Sequence, residues 1–83
     1  MPEQRVGIVQ DYFAKIGVAG IDVEETIRLH DTIHIKGHTT DLEQVVDSMQ
    51  IEGQPVEEAK VCDKIGIKVR ERCRDGDVVY KVS

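Results

Sequence analysis

Apolar and polar residues alternate along most of this chain. In VGIVQDYFAKIGVAG, Val6 and Ile8 and then Ile16 and Val18 hold alternate positions. β-Branched residues at a period of two predict two strands, joined between Asp11 and Lys15. Gly7, Gly17 and Gly20 punctuate them, as expected at tight bends or where backbones approach closely. TIHIKG alternates most cleanly, with Ile33 and Ile35 facing in, His34 and Lys36 facing out, and Gly37 ending the run. KIGIKV repeats the pattern, with Ile65, Ile67 and Val69 inward and Lys64, Lys68 and Arg70 outward. Val78, Tyr80 and Val82 alternate in a last strand. Asp75-Gly76 supplies a turn dipeptide before it, although the connection from Val69 to Val78 exceeds a two-residue hairpin loop.

The middle of the chain reads two ways. In TTDLEQVVDSMQI, Leu42, Val45, Val46 and Met49 fall at helical spacing, and Thr40 or Asp41 suits an N-cap, so periodicity alone predicts an amphipathic helix. A strand through Val45, Met49 and Ile51 leaves Leu42 and Val46 out of phase and needs a bulge. VEEAK, after Pro55, suits a single helical turn.

Composition narrows the class. With 40% hydrophobic and 33% charged residues the chain is too apolar and too evenly mixed for disorder. Eighty-three residues predict a single domain, 1–83, that buries roughly 60% of its unfolded surface around one thin core. No apolar run reaches the roughly 18 residues of a spanning helix, and MPEQRVGIV lacks the plan of a secretion signal, so no membrane association and a cytoplasmic location are expected. Cys62 and Cys73 fit no zinc or redox spacing and are expected as reduced thiols, a bridge being the minor alternative. The formal net charge is −5, yet Lys64, Lys68, Arg70, Arg72 and Arg74 face only Glu71 within their segment. A basic patch therefore sits on an acidic body.

Recognisable chemistry is sparse. No Gly-x4-Gly-Lys-Ser/Thr run exists to cradle phosphates, so no nucleotide site and no cofactor are expected. His30, His34 and His38 would converge on a helix, but on a strand four residues span roughly 13 Å, too far for one ion, so no metal is expected of them. The cysteines show no oriented base. Glu24-Glu25 and Glu57-Glu58 are adjacent acids, expected as solvated charges rather than a facing acid/base pair. A small enzyme would need a pocket bringing His30, His34 or a cysteine to a partner, and no such constellation is legible.

Taken in order, VGIVQDYFAKIGVAGI, LHDTIHIKG, VVDSMQIEGQPVEEAKVCDKIGIKV and GDVVYKV resemble domain II of the translation GTPases, the barrel of elongation factor Tu and its counterparts. The residues carrying the resemblance are Asp31, Ile33, Ile35 and Gly37, then Val46, Ser48 and Met49, then Ala59, then Asp63, Ile65, Gly66 and Ile67, and finally Gly76 and Asp77. His30 and Cys62 stand where that family has glycine. A similar barrel closes the C-terminal end of some collagenase-like peptidases. The resemblance implies an all-β fold, a small six-stranded antiparallel Greek-key β-barrel, and makes Leu42 to Ile51 a strand.

It also implies a non-catalytic binding module. In elongation factor Tu this domain helps to hold the terminal adenosine of aminoacyl-tRNA, and Gln50 and Lys68 occupy the corresponding places here. The leading expectation is an RNA- or translation-associated module with tRNA or another RNA as partner. Lys64, Lys68, Arg70, Arg72 and Arg74 would contact phosphate, with Gln50 beside a base-sized pocket. A solvated face whose lysines deter edge pairing accounts for the same charges. The alternative function is a protein-interaction barrel docking onto a larger enzyme, as the barrels attached to peptidases do, marked by an exposed apolar patch or a free edge strand opposite the charges.

Overall fold

A computed structural model describes residues 3–82. Among them are ten strands and no helix: β1 (Glu3–Phe13), β2 (Val18–Val23), β3 (Ile27–Arg28), β4 (Thr32–Lys36), β5 (Asp41–Val45), β6 (Met49–Ile51), β7 (Gln54–Val56), β8 (Glu58–Ala59), β9 (Lys64–Lys68) and β10 (Val78–Val82). Eight form one antiparallel sheet in the order β5-β4-β10-β1-β2-β9-β6-β7, and β3 pairs with β8. The all-β expectation holds. The ladders run openly from β5 to β7 and do not close on themselves, so a closed six-stranded barrel is not what the hydrogen bonding describes.

Pairing between strands overrules local periodicity at several places. Leu42 to Ile51, helical by periodicity alone and a strand by the resemblance, is two strands, because Leu42 pairs with Ile35 and Gln44 with Ile33 on the neighbouring β4. Leu42, Gln44 and Val46 face inward, while Val45 is 38% exposed. Residues of VEEAK extend into β7 and β8 rather than coiling, and Pro55 sits on the edge strand β7, where a missing N–H costs no ladder bond. In β1, bulges between Arg5 and Gly7 and between Val9 and Asp11 shift the phase, so Val6 and Val9 are buried and Ile8 is only partly so. In β2 the inward residues are Ala19, Ile21 and Val23, and in β10 Val79 is buried while Val78, Tyr80 and Val82 turn outward. The alternating sets read from the sequence in these two strands, through Val18 and through Val78, are thus one residue out of phase with the buried set.

One turn is built three times. At Arg28–Asp31, Lys60–Asp63 and Arg74–Asp77 the first residue's N–H donates to the aspartate Oδ2 at 2.8, 2.8 and 2.9 Å. The aspartate N–H donates back to the first residue's carbonyl at 3.1, 3.0 and 3.1 Å. The residue before each aspartate has positive φ: His30 at 74°, Cys62 at 75° and Gly76 at 92°. Its N–H donates to a buried valine carbonyl (Val46, Val23 and Val9 respectively), and that valine's N–H donates to the aspartate carbonyl. Each turn therefore fixes the start of β4, β9 or β10 against a neighbouring segment. His30 and Cys62 adopt the left-handed backbone that glycine adopts without strain.

The core is aliphatic, with Ile21, Ile27, Ile33, Ile35, Met49, Ile67 and Val79 all but inaccessible. Gly37 lets β4 end against the third turn, since a Cβ there would lie 1.8 Å from Asp77 Oδ1. Gln44, 7% exposed, reaches from the edge strand β5 to the end of β9. Its Nε2 donates to the Lys68 carbonyl at 2.9 Å, and the Arg70 N–H donates to its Oε1 at 3.0 Å. No helix among the described residues is long and apolar enough to cross a membrane.

Candidate functional site

Directly opposed residues share a face of a sheet, so registers locate the outer surface of β1, β2, β9 and β6. Asp11 lies opposite Gly20, Gly20 opposite Gly66, and Gly66 opposite Gln50. Two neighbouring glycines leave this row without side chains at its centre. Phe13 stands beside the gap: a Cβ on Gly20 would lie 3.6 Å from its ring. The result is a depression of about 520 Å³ whose walls include Phe13, Gln50 and Lys64 and the acids Asp11, Asp22 and Glu52. Three acids against one lysine make its rim unfavourable for phosphate.

Phe13 and Ile16 are 50% and 63% exposed and are linked through the β1–β2 turn, where the N–H groups of Ile16 and Gly17 donate to the Phe13 carbonyl. Val45 and Val61 are also exposed, but singly. The sequence reading missed the turn pair: it placed Ile16 in a strand and gave Phe13 no role. The available signal was the chain's single phenylalanine, a few residues before Gly17 and Gly20.

Lys64 of the expected basic row and Gln50, expected beside a base-sized pocket, both line the glycine-floored depression. Lys68 lies opposite Val18, and the Val69 N–H donates to the Gly17 carbonyl, so Lys68 and Arg70 pass beside the hairpin tip. The strand ends at Lys68. Arg72 and Arg74 therefore do not extend the row; they line a second, polar depression of about 540 Å³ with Gln10, Asp11 and Tyr12. Arg5, Arg28, Lys36 and Lys81 make ion pairs, whereas none of Lys64, Lys68, Arg70, Arg72 and Arg74 does so among the described residues. Lys64, Lys68 and Arg70 thus lie near Phe13 and Ile16, while Arg72 and Arg74 stand apart from them.

The other candidates lie elsewhere. His30 and His38 are exposed, while the His34 side chain is 15% exposed on the outer face of β4. Its Nδ1 meets Glu3 Oε2 at 2.6 Å and its Nε2 meets Asp41 Oδ1. Asp41 and then Glu3 hold the imidazolium and raise its pKa above the ordinary histidine value. Cys62 is exposed and Cys73 buried, both as free thiols. Burial, with Asp77 and Glu71 nearby, pushes the Cys73 thiol up to about 11, away from the thiolate. Glu24 and Glu58 pair with Arg5 and Arg28 rather than with other acids.

No family model matches the chain. It is 41% identical over 76 residues to an uncharacterized protease of Methanocaldococcus jannaschii, covering 90% of this chain and 19% of that protein. It is 36% identical over 72 residues to a collagenase of Porphyromonas gingivalis, covering 84% and 20%. Among solved structures, the C-terminal domain of a Geobacillus thermoleovorans U32 peptidase superposes with a TM-score of 0.91, over 96% of this chain and 93% of that one, at 19% identity. The chain has the fold of a U32 peptidase C-terminal domain. It spans about a fifth of the length of the curated relatives it matches. These relatives support the module reading that the sequence held as its alternative.

They also correct the leading expectation. The relatives and the structural neighbour are peptidase and collagenase proteins, so the translation-factor resemblance does not place the chain among elongation factors. The RNA-binding role drawn from it for Gln50, Lys64, Lys68, Arg70, Arg72 and Arg74 loses that support. The physical reason lies in which residues carried the likeness. Asp31, Asp63 and Asp77 close the three turns, and Ile33, Ile35, Ile65 and Ile67 fill the core. Those residues specify a backbone, and a backbone does not name a ligand.

Proposed function

We propose that this chain is a non-catalytic docking module, attaching to a larger protein through the face that carries Phe13 and Ile16. The observation behind this reading is the coincidence, at one hairpin tip, of two large exposed apolar side chains with Lys68 and Arg70, which make no ion pair among the described residues. Such a surface suits an interface with an apolar centre and a charged rim. The glycine-floored depression receives a side chain of the partner, and Lys68 and Arg70 meet its acidic groups. The match to only a fifth of larger proteins named protease and collagenase supports a modular role. A non-catalytic role is further supported by Cys73, whose burial favours the unreactive thiol, and by His34, whose two nitrogens are both engaged.

The module presents this face from a rolled sheet. In this reading β5-β4-β10-β1-β2-β9 act as a six-stranded barrel whose seam is closed by the Gln44 side chain instead of a ladder. The test of docking mixes this chain with the M. jannaschii relative from which the matched 76 residues have been deleted, followed by sedimentation. Saturable association, weakened at least tenfold by Phe13→Ala or by Ile16→Ser, is expected. Absence of association at about 100 μM, or association indifferent to both substitutions, overturns the reading.

A further inference from the structure

Far along the sheet from the glycine floor, three strands bring a second group of side chains together. His34 on β4 lies directly opposite Glu43 on β5 and Tyr80 on β10, and Tyr80 lies opposite Arg5 on β1. Glu3, two residues before Arg5, reaches across β10 to the imidazole, and Asp41 reaches it from the start of β5. One ligand atom from each of Glu3, His34 and Glu43 lies within 4.8 Å of the others. A tetrahedral ion with bonds of about 2.1 Å holds its ligands roughly 3.4 Å apart, so rotations of the exposed Glu43 and its neighbours close the set. We propose that Glu3, His34 and Glu43 form a binding site for a divalent transition-metal ion of the zinc class.

Three features support the site besides proximity. The imidazole has a carboxylate on each nitrogen, so one nitrogen given to the ion leaves the other held by a carboxylate, the arrangement that orients metal-bound histidines. Glu3 is already fixed, because Lys36 Nζ holds its Oε1 at 3.0 Å while Oε2 faces His34. Charge also favours the ion: the cations that contact Glu3 and Asp41 among the described residues are Lys36 and the imidazolium, while Glu43 adds a third carboxylate beside them. One imidazole with carboxylates suits zinc and its neighbours and disfavours calcium or magnesium, which take oxygen alone. His30 and His38 take no part, so the histidine spacing of the sequence is not the signal. The ion would tie the first residues of β1 to β4 and to the edge strand β5, a staple of the kind small domains use.

The test titrates Zn²⁺ into the chelator-treated chain carrying Cys62→Ser, which removes the exposed thiol, and repeats the titration with Co²⁺ to read the ligand field. Binding of one ion per chain in the micromolar range is expected, with the thermal midpoint rising by more than about 10 °C at hundredfold excess over Kd. His34→Gln should abolish it. Glu43→Gln, at an exposed position that leaves folding unaffected, should weaken it at least tenfold. No saturable binding below about 1 mM, or equal affinity in the Glu43→Gln chain, overturns the proposal.

Discussion

The Gln44 side chain offers the sharpest test of how this sheet holds its shape. Gln44→Met keeps the length of the side chain and removes both of its hydrogen-bonding groups, leaving the Lys68 carbonyl and the Arg70 N–H without their partner. An orphaned buried backbone group costs about 1–3 kcal/mol. The segment around Arg70 is close enough to the surface for water to recover part of this, so the net loss is about 2 kcal/mol. Against a total stability of about 4–12 kcal/mol for a domain of this length, that is a large fraction. Urea unfolding followed by far-UV circular dichroism reads it directly, since a slope of about 1 kcal/mol/M makes the shift in midpoint about 2 M. Gln44→Glu is the companion variant. It keeps an acceptor for the Arg70 N–H but turns an acceptor toward the Lys68 carbonyl, and so should lose at least as much as Gln44→Met at neutral pH. A midpoint within about 0.5 M of wild type in Gln44→Met, with an unchanged slope, refutes the claim that this side chain joins β5 to the end of β9.

Further outcomes follow from the turns, the thiols and the imidazole. Cys62→Gly relieves a φ of 75° and should raise stability by about 0.5–1 kcal/mol, whereas Gly76→Ala, at a φ of 92°, should lower it by about 1 kcal/mol or more; urea midpoints that move together refute the strain argument. A thiol reagent should modify one cysteine in the native chain, identified by mass spectrometry as Cys62, and reach Cys73 only after unfolding; fast native labelling of Cys73 contradicts its burial. With chelator present, the His34 ion pairs stabilise fully below the unfolded histidine value of 6.5 and are lost as pH rises through the higher folded value. The stability gap between wild type and His34→Gln should therefore shrink with rising pH above 6.5, and a gap that widens there refutes the assignment. Glu3 acts at the other end, because its pKa is lowered by His34 and then Lys36, and its share is lost as pH falls through that depressed value.

How much of this was legible in the sequence depends on the range of the interaction concerned. TIHIKG and KIGIKV read correctly because a strand flanked by turn residues, with aliphatics on one face, expresses its environment within a few residues. The phases of β1, β2 and β10 did not. They are set by bulges at Val6 and Gln10 and by the Asp77 turn, and a bulge shows itself only against its partner strand. Leu42 to Met49 failed for a related reason: helical spacing and strand pairing bury nearly the same residues there, and the ladder to β4 decides between them. The proposed docking face was half legible. Its charges were counted, but the apolar pair at its centre became visible only when the turn lifted Phe13 and Ile16 out of the sheet.

The repeated aspartate turn explains why the all-β fold was legible in the sequence and why a likeness of fold named no ligand. Each turn needs three things that a sequence records: an aspartate, a residue before it that tolerates positive φ, and an alternating strand after it. LHDTIHIKG, VCDKIGIKV and DGDVVYKV all comply, and three such units in order constrain a chain of this length to a narrow set of sheet orders. A likeness assembled from these units therefore carries the fold with it. Outward residues such as Phe13, Ile16, Gln50 and Lys68 lie outside these units, and the turns leave their identities free. Gln50 and Lys68 stand where the translation-factor pattern has an acidic and an apolar residue, at the positions by which that family holds its ligand. Two differing residues at the surface therefore outweigh a dozen matching ones in the turns and core when function is inferred for a fold of this kind.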